Sequence, residues 1–127
     1  MKLRIKGDSL RLRIAPSEVA RLLQSGRIEE TIHFGPAPDA CLTYALETAP
    51  GQQASVTVRS RQHEITVLVP EELARRWAVA EDVGIYGEMP TAAGRLELAV
   101  EKDFACLDKS AADNQDTYPN PNLGVNC

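Results

Sequence analysis

Aromatic residues make up only 5% of this 127-residue chain, with a single tryptophan. That scarcity excludes a core of stacked rings and leaves Leu, Val, Ile and Ala to fill it, from an apolar share of 43%. It also leaves the basic stretches without interleaved rings on which bases could stack. No run approaches the ~20 apolar residues of a membrane helix. The opening residues alternate Lys and Leu and carry no apolar h-region, so neither a membrane span nor a secretory signal is expected. There are three cysteines, Cys41, Cys106 and Cys127. An odd, widely spaced set argues against a disulfide framework and suits a reduced, cytoplasmic protein.

Motifs of catalysis are missing too. There is no nucleophile elbow, no Gly-rich phosphate loop and no readable Ser/His/Asp grouping, so no catalytic residue is assigned. Cys106, Cys127, His33, His63 and the late aspartates lack C-x-x-C or H-x-x-x-H spacing. Asp113-Asn114-Gln115-Asp116 lacks the glycine and the closing glutamate of a calcium loop. No metal or cofactor is therefore expected. His33, between Ile32 and Phe34, reads as a structural strand histidine, His63 as a solvated turn residue and Trp77 as core.

What the chain does have is alternation and a lopsided charge. Net charge is −4. Met1–Arg13 nevertheless carries Lys2, Arg4, Lys6, Arg11 and Arg13 against Asp8 alone, while Glu101–Asp116 is mostly acidic. A basic start and an acidic end are expected to meet. Lys2–Lys6 and Ser9–Ile14 alternate charged and apolar residues around Gly7-Asp8, which predicts a hairpin with a II′ turn. Its register sets Ile5 against Leu10 and Leu3 against Leu12 on the core face. On the other face it sets Arg4 against Arg11 and Lys2 against Arg13. Like charges directly opposite each other destabilise a ribbon, so a counter-charge is required.

A helix is predicted over Pro16–Ser25, with Glu18 in its first turn, Gly26 as its stop, and Val19, Leu22 and Leu23 as the buried stripe. Strands are predicted over Arg27–Phe34, Cys41–Thr48, Ala54–Ser60, His63–Val69, Val83–Glu88 and Arg95–Val100, the last with room to continue through Phe104 and Leu107. A second short helix is expected at Pro70–Ala78, with Leu73 and Trp77 as an i,i+4 pair. The order strand, proline, helix, strand thus appears twice, in Ser9–Phe34 and Glu64–Glu88, with Pro16 aligned on Pro70. Together these predict an α+β fold: a mostly antiparallel curved sheet or small β-barrel of seven or eight strands with two short helices. Residues 1–107 form the domain. Residues 108–127 are a polar, turn-rich tail, either a loop or disordered end or a segment anchored by Tyr118.

Two stretches look familiar. MKLRIKGDSLRLR, VEKDFACL at Val100–Leu107, and YPNPN resemble a small family of uncharacterised bacterial proteins, a domain of unknown function. That likeness implies a bacterial, cytosolic setting and no particular activity. ITVLVPEELARRWAV, with Lys-x-Gly-Asp-Ser-Leu earlier, is similar to the swapped-hairpin units of AbrB-type DNA-binding proteins, and two such units in one chain would mimic a dimer of that fold.

The basic face of Lys2, Arg4, Lys6, Arg11 and Arg13 is the candidate anion-binding site, with Arg4, Arg11 and Arg13 supplying guanidinium forks. The alternative is a solvated face neutralised by Glu97 and Glu101. The expectation is a binding module for an anionic small molecule or protein partner. An AbrB-like regulator contacting nucleic acid is one alternative. Another is a phosphate-processing barrel enzyme, in which Arg59, Glu64, Glu97 and Glu101 would join the basic residues in one lumen, although the opening Lys-Leu-Arg-Ile-Lys lacks the metal half of the Glu-x-Glu-x-Lys motif.

Overall fold

A computed structural model of the chain describes residues 1–51, 55–105 and 115–119. The described elements are β1 (Lys2–Lys6), β2 (Ser9–Ile14), α1 (Pro16–Ser25), β3 (Arg27–His33), β4 (Cys41–Ala49), β5 (Thr57–Arg61), β6 (Glu64–Pro70), α2 (Glu71–Val79), β7 (Gly84–Thr91) and β8 (Gly94–Lys102). The alternating stretches all became strands, within a few residues of the expected bounds. Ala54, Cys106, Leu107, Asp113 and Cys127 lie outside the described residues.

The α+β class holds, but the strands do not form one sheet or close into a barrel. They make two four-stranded sheets, β1-β2-β8-β7 and β3-β4-β6-β5. The outer pairs are antiparallel, while the central pairs β2–β8 and β4–β6 are parallel, so each sheet is mixed. Where β5 nears β7, the Val58 N–H donates to the Met89 sulfur at 3.3 Å rather than to a strand carbonyl, and no ladder joins the two strands.

Both strand–helix–strand units are present, but each one crosses from one sheet to the other. β2 and β3 lie in different sheets, as do β6 and β7. Exchanging the two halves of the chain, β1β2α1β3β4 for β5β6α2β7β8, turns one strand order into the other. The halves do not match proline to proline. The residue before α1 is Ala15 and that before α2 is Pro70, while the buried pair Val19 and Leu22 corresponds to Ala74 and Trp77. Pro16 opens its helix, whereas Pro70 caps its own.

One core lies between the sheets. Leu12, Ile14 and Val100 come from the first sheet, Leu46, Val67 and Val69 from the second, and Leu22 and Trp77 from the helices. Leu23 departs from the expected stripe: it is 36% exposed, about 100° around the helix from Leu22. Ile5 pairs with Leu10 as predicted but is 58% exposed, because β1 is an edge strand.

Equivalent residues close the C-terminal ends of the two helices. Thr48 Oγ1, near the end of β4, donates to the carbonyl of Gly26 at 3.4 Å. Lys102, at the end of β8, donates from Nζ to the carbonyl of Ala80. A cation there also suits the negative end of the helix dipole. Its ammonium sits 6.0 Å from the Trp77 ring and 5.5 Å from that of Tyr118. Tyr118 in turn bridges to Phe104, donating its N–H to the Asp103 carbonyl at 2.8 Å.

Candidate functional site

The hairpin of β1 and β2 forms in the expected register, with Arg4 opposite Arg11 and Lys2 opposite Arg13. Gly7 supplies the positive φ of the turn, at 55°. Because β2 continues in parallel onto β8, and β8 pairs with β7, the outward positions line up in rows across the first sheet. Lys2 and Arg13 are followed by Glu101 and Gly84, Arg4 and Arg11 by Ala99 and Tyr86, and Lys6 and Ser9 by Glu97 and Glu88. One half of the face is basic and the other acidic.

The counter-charge exists, but it reaches only part of the ribbon. Lys2 Nζ lies 2.9 Å from the carboxylate of buried Asp103. Arg11 lies 3.5 Å from Glu101. These are the contacts through which the basic start and the acidic end meet. Arg4, Lys6 and Arg13 have no ion-pair partner among the described residues. Arg4, Lys6 and Arg11 line one wall of a groove of about 510 Å³ whose other wall holds Tyr86, Glu88 and Glu97. Ala99 lies between Arg11 and Tyr86. A smaller hollow of about 220 Å³ brings Arg13 together with Lys2, Arg4 and Arg11. All five expected residues therefore share one face, and four of them share one hollow.

Tyr86 and Glu88 join this face without any signal in the sequence, and Tyr86 is tied into it. Its hydroxyl donates to Glu101 at 2.8 Å. Gly84 makes that contact possible: a Cβ at this position would come within 3.0 Å of the Tyr86 hydroxyl and 2.7 Å of the Val100 carbonyl. Desolvation of the hydroxyl, and then the Glu101 carboxylate, push the phenol up to about 12 from 10.0. A raised folded-state value stabilises the protein below pH 10.0 and loses that contribution as pH rises through about 12. Absorbance titration should show one phenol ionising near 12, and Glu101→Gln should bring that phenol back toward 10.0. An unchanged titration would mean that the contact does not exist in solution.

The outer face of the second sheet occupies the equivalent position and is built differently. Arg27 lies 3.0 Å from Glu47, 3.1 Å from Glu64 and 3.6 Å from Glu29. Arg59 lies 3.7 Å from Glu47. Thr66, fully buried beneath, donates to Glu64 at 2.9 Å. Burial works against the Arg27 charge, but the hydrogen bonds to Glu47 and Glu64 outweigh it and its pKa is raised. Bonds from Thr66 and Arg27 hold the Glu64 carboxyl below its ordinary value. This face neutralises itself. Arg59 and Glu64 therefore belong to one outer face and Glu97 and Glu101 to the other. The single lumen that a phosphate-processing barrel would need is replaced by the apolar core.

Cys41 is a free, half-buried thiol, and His33 and His63 are exposed. Among the described residues no three His, Cys, Asp or Glu side chains gather as a metal site. Among the described residues no helix is long and apolar enough to cross a membrane.

A family of unknown function, DUF7009, matches residues 1–122. No curated protein and no solved structure matches the chain. The resemblance to a family without assigned activity thus stands over nearly the whole length, while nothing found supports the AbrB-type likeness.

Proposed function

We propose, from the premise that this chain belongs to the DUF7009 family of unknown function, that it is a small cytosolic binding module. The groove on the first sheet would hold the anionic group of a ligand or partner, with Arg4, Lys6 and Arg11 as its contacts and Arg13 and Lys2 beside them. One observation carries the reading. Two topologically equivalent faces exist in one molecule, and the second ties its arginines to its own glutamates while the first leaves Arg4, Lys6 and Arg13 without an ion-pair partner among the described residues, Arg4 and Lys6 at the groove and Arg13 at the smaller hollow beside it. Unpaired guanidinium and ammonium groups side by side repel each other, and a bound anion turns that repulsion into charge-assisted hydrogen bonding.

A nucleic-acid backbone is the other anion that suits a basic ribbon. Against it, Glu88, Glu97 and Glu101 stand on the same face and repel a polyanion.

Thermal melting at low ionic strength tests the proposal. Inorganic pyrophosphate should raise the melting temperature in proportion to the logarithm of its concentration, because it binds the folded chain and not the unfolded one. Mixed-sequence duplex DNA should give no retarded band that fades with added salt. No stabilisation by pyrophosphate would remove the anion site, and salt-sensitive DNA retardation would move the reading to nucleic acid.

A further inference from the structure

The groove has two unlike walls, and, resting on the reading of one wall as an anion site, we propose that its ligand is a small amphoteric molecule, an anionic group linked to an ammonium or guanidinium group. Across the sheet, Lys6 and Glu97 are separated by Ser9, and Arg4 is separated from Tyr86 by Arg11 and Ala99. Two strand spacings amount to about 10 Å, so the ligand's opposite charges should lie roughly 5–10 Å apart.

The two walls do not neutralise each other. On the second sheet, opposite charges reach across to contact at 3.0 and 3.1 Å. Here Arg4, Lys6 and Glu97 have no ion-pair partner among the described residues, and the small side chains of Ser9 and Ala99 leave the space between them open. A purely anionic ligand would satisfy Arg4 and Lys6 but would face Glu97 as a like charge. A cationic end reverses that term. It would meet Glu97 directly, with Glu88 nearby, although Glu88 already lies 2.9 Å from Arg95. It would also lie against the Tyr86 ring, which is 60% exposed and anchored at its hydroxyl by Glu101. A carboxylate beside an exposed aromatic face is the combination that attracts ammonium and guanidinium groups.

Calorimetric titration of the full chain with butyl phosphate and with 4-aminobutyl phosphate, at pH 7 and low ionic strength, separates the two layers of the argument. The amino compound should bind about tenfold more tightly, the worth of one charged hydrogen bond. Glu97→Gln should erase that advantage, weakening the amino compound while tightening butyl phosphate. Ala99→Leu, which fills the space between the walls, should weaken both. Equal affinity for the two probes, or an advantage that survives Glu97→Gln, would overturn the amphoteric ligand and leave the anion site standing. No binding of either probe would overturn both. Binding untouched by Ala99→Leu would place the site outside this groove and overturn both as well.

Discussion

The double variant Arg4→Glu, Lys6→Glu should lose on the order of a hundredfold in affinity for pyrophosphate while keeping the fold of the parent chain. The size follows from what is removed and what is added. Arg4 and Lys6 supply the uncommitted positive charge of the groove, since Arg11 is shared with Glu101 and Lys2 with Asp103. Two charge-assisted contacts vanish, and two carboxylates join Glu97 and Glu88 in an already acidic surround. The fold should survive because both side chains are exposed and neither is tied into the core. Relief of the Arg4–Arg11 repulsion across the hairpin should even raise the melting temperature slightly in the absence of ligand. A variant that still responds to pyrophosphate like the parent would show that these two residues are not the contacts. The complementary variant, Arg27→Ala on the second sheet, should leave pyrophosphate binding unchanged but lower stability at neutral pH. That loss should shrink as pH falls below 4.5, since Glu64 has a depressed folded-state value and contributes only while ionised.

Replacing Lys102 with alanine should destabilise the chain by about 3 kcal/mol, which for a domain of this size lowers the melting temperature by about 10 °C. Lys102 is only 6% exposed. Its stem packs among core residues at the end of β8, and its ammonium is the donor that closes the carbonyl end of α2. Alanine removes the stem and leaves a void, orphans the Ala80 carbonyl, and takes the cation from between the Trp77 and Tyr118 rings. Lys102→Met keeps the volume and loses only the charge, so it should cost about 1–2 kcal/mol. Denaturant melts of the two variants measure the difference. Equal losses would assign the whole effect to the polar end, and no loss in either would show that the α2 end is satisfied by other groups.

Much of this fold was legible along the chain, and the illegible part has a single cause. The hairpin of β1 and β2 could be paired residue by residue, because a two-residue turn fixes register and alternation fixes the face. Helix α1 could be bounded at Pro16 and Ser25, since a proline start and a glycine stop are local signals. The parallel pairs β2–β8 and β4–β6 could not be read. Alternation reports which face of a strand is apolar, not which distant strand lies beside it or in which direction it runs. That is why the sheets were expected to be antiparallel or closed, and why Arg59 and Glu64 were placed in the same lumen as Glu97 and Glu101.

The same boundary divides the site. The five basic residues were found because they lie on one local ribbon. Glu97 and Glu101 could be proposed as counter-charges from the alternation of Arg95–Glu101. Tyr86 and Glu88 gave no signal, since their place in the rows of Arg4 and Lys6 depends on three strand pairings, one of them parallel and long-range. Arg27 was equally silent: its partners Glu47 and Glu64 come from two different hairpins brought together only by the β4–β6 ladder. That self-neutralised face is what makes the unpaired residues of the first sheet meaningful.

The most direct test of the groove is an amide proton–nitrogen correlation spectrum of the labelled chain, followed as pyrophosphate is added at low ionic strength. Shifts that saturate together on Arg4, Lys6, Arg11, Tyr86 and Ala99, with the signals of Arg27, Thr66 and Arg59 unmoved, are the expected result. A spectrum that does not change, or changes that centre on the Arg27 face, would contradict it.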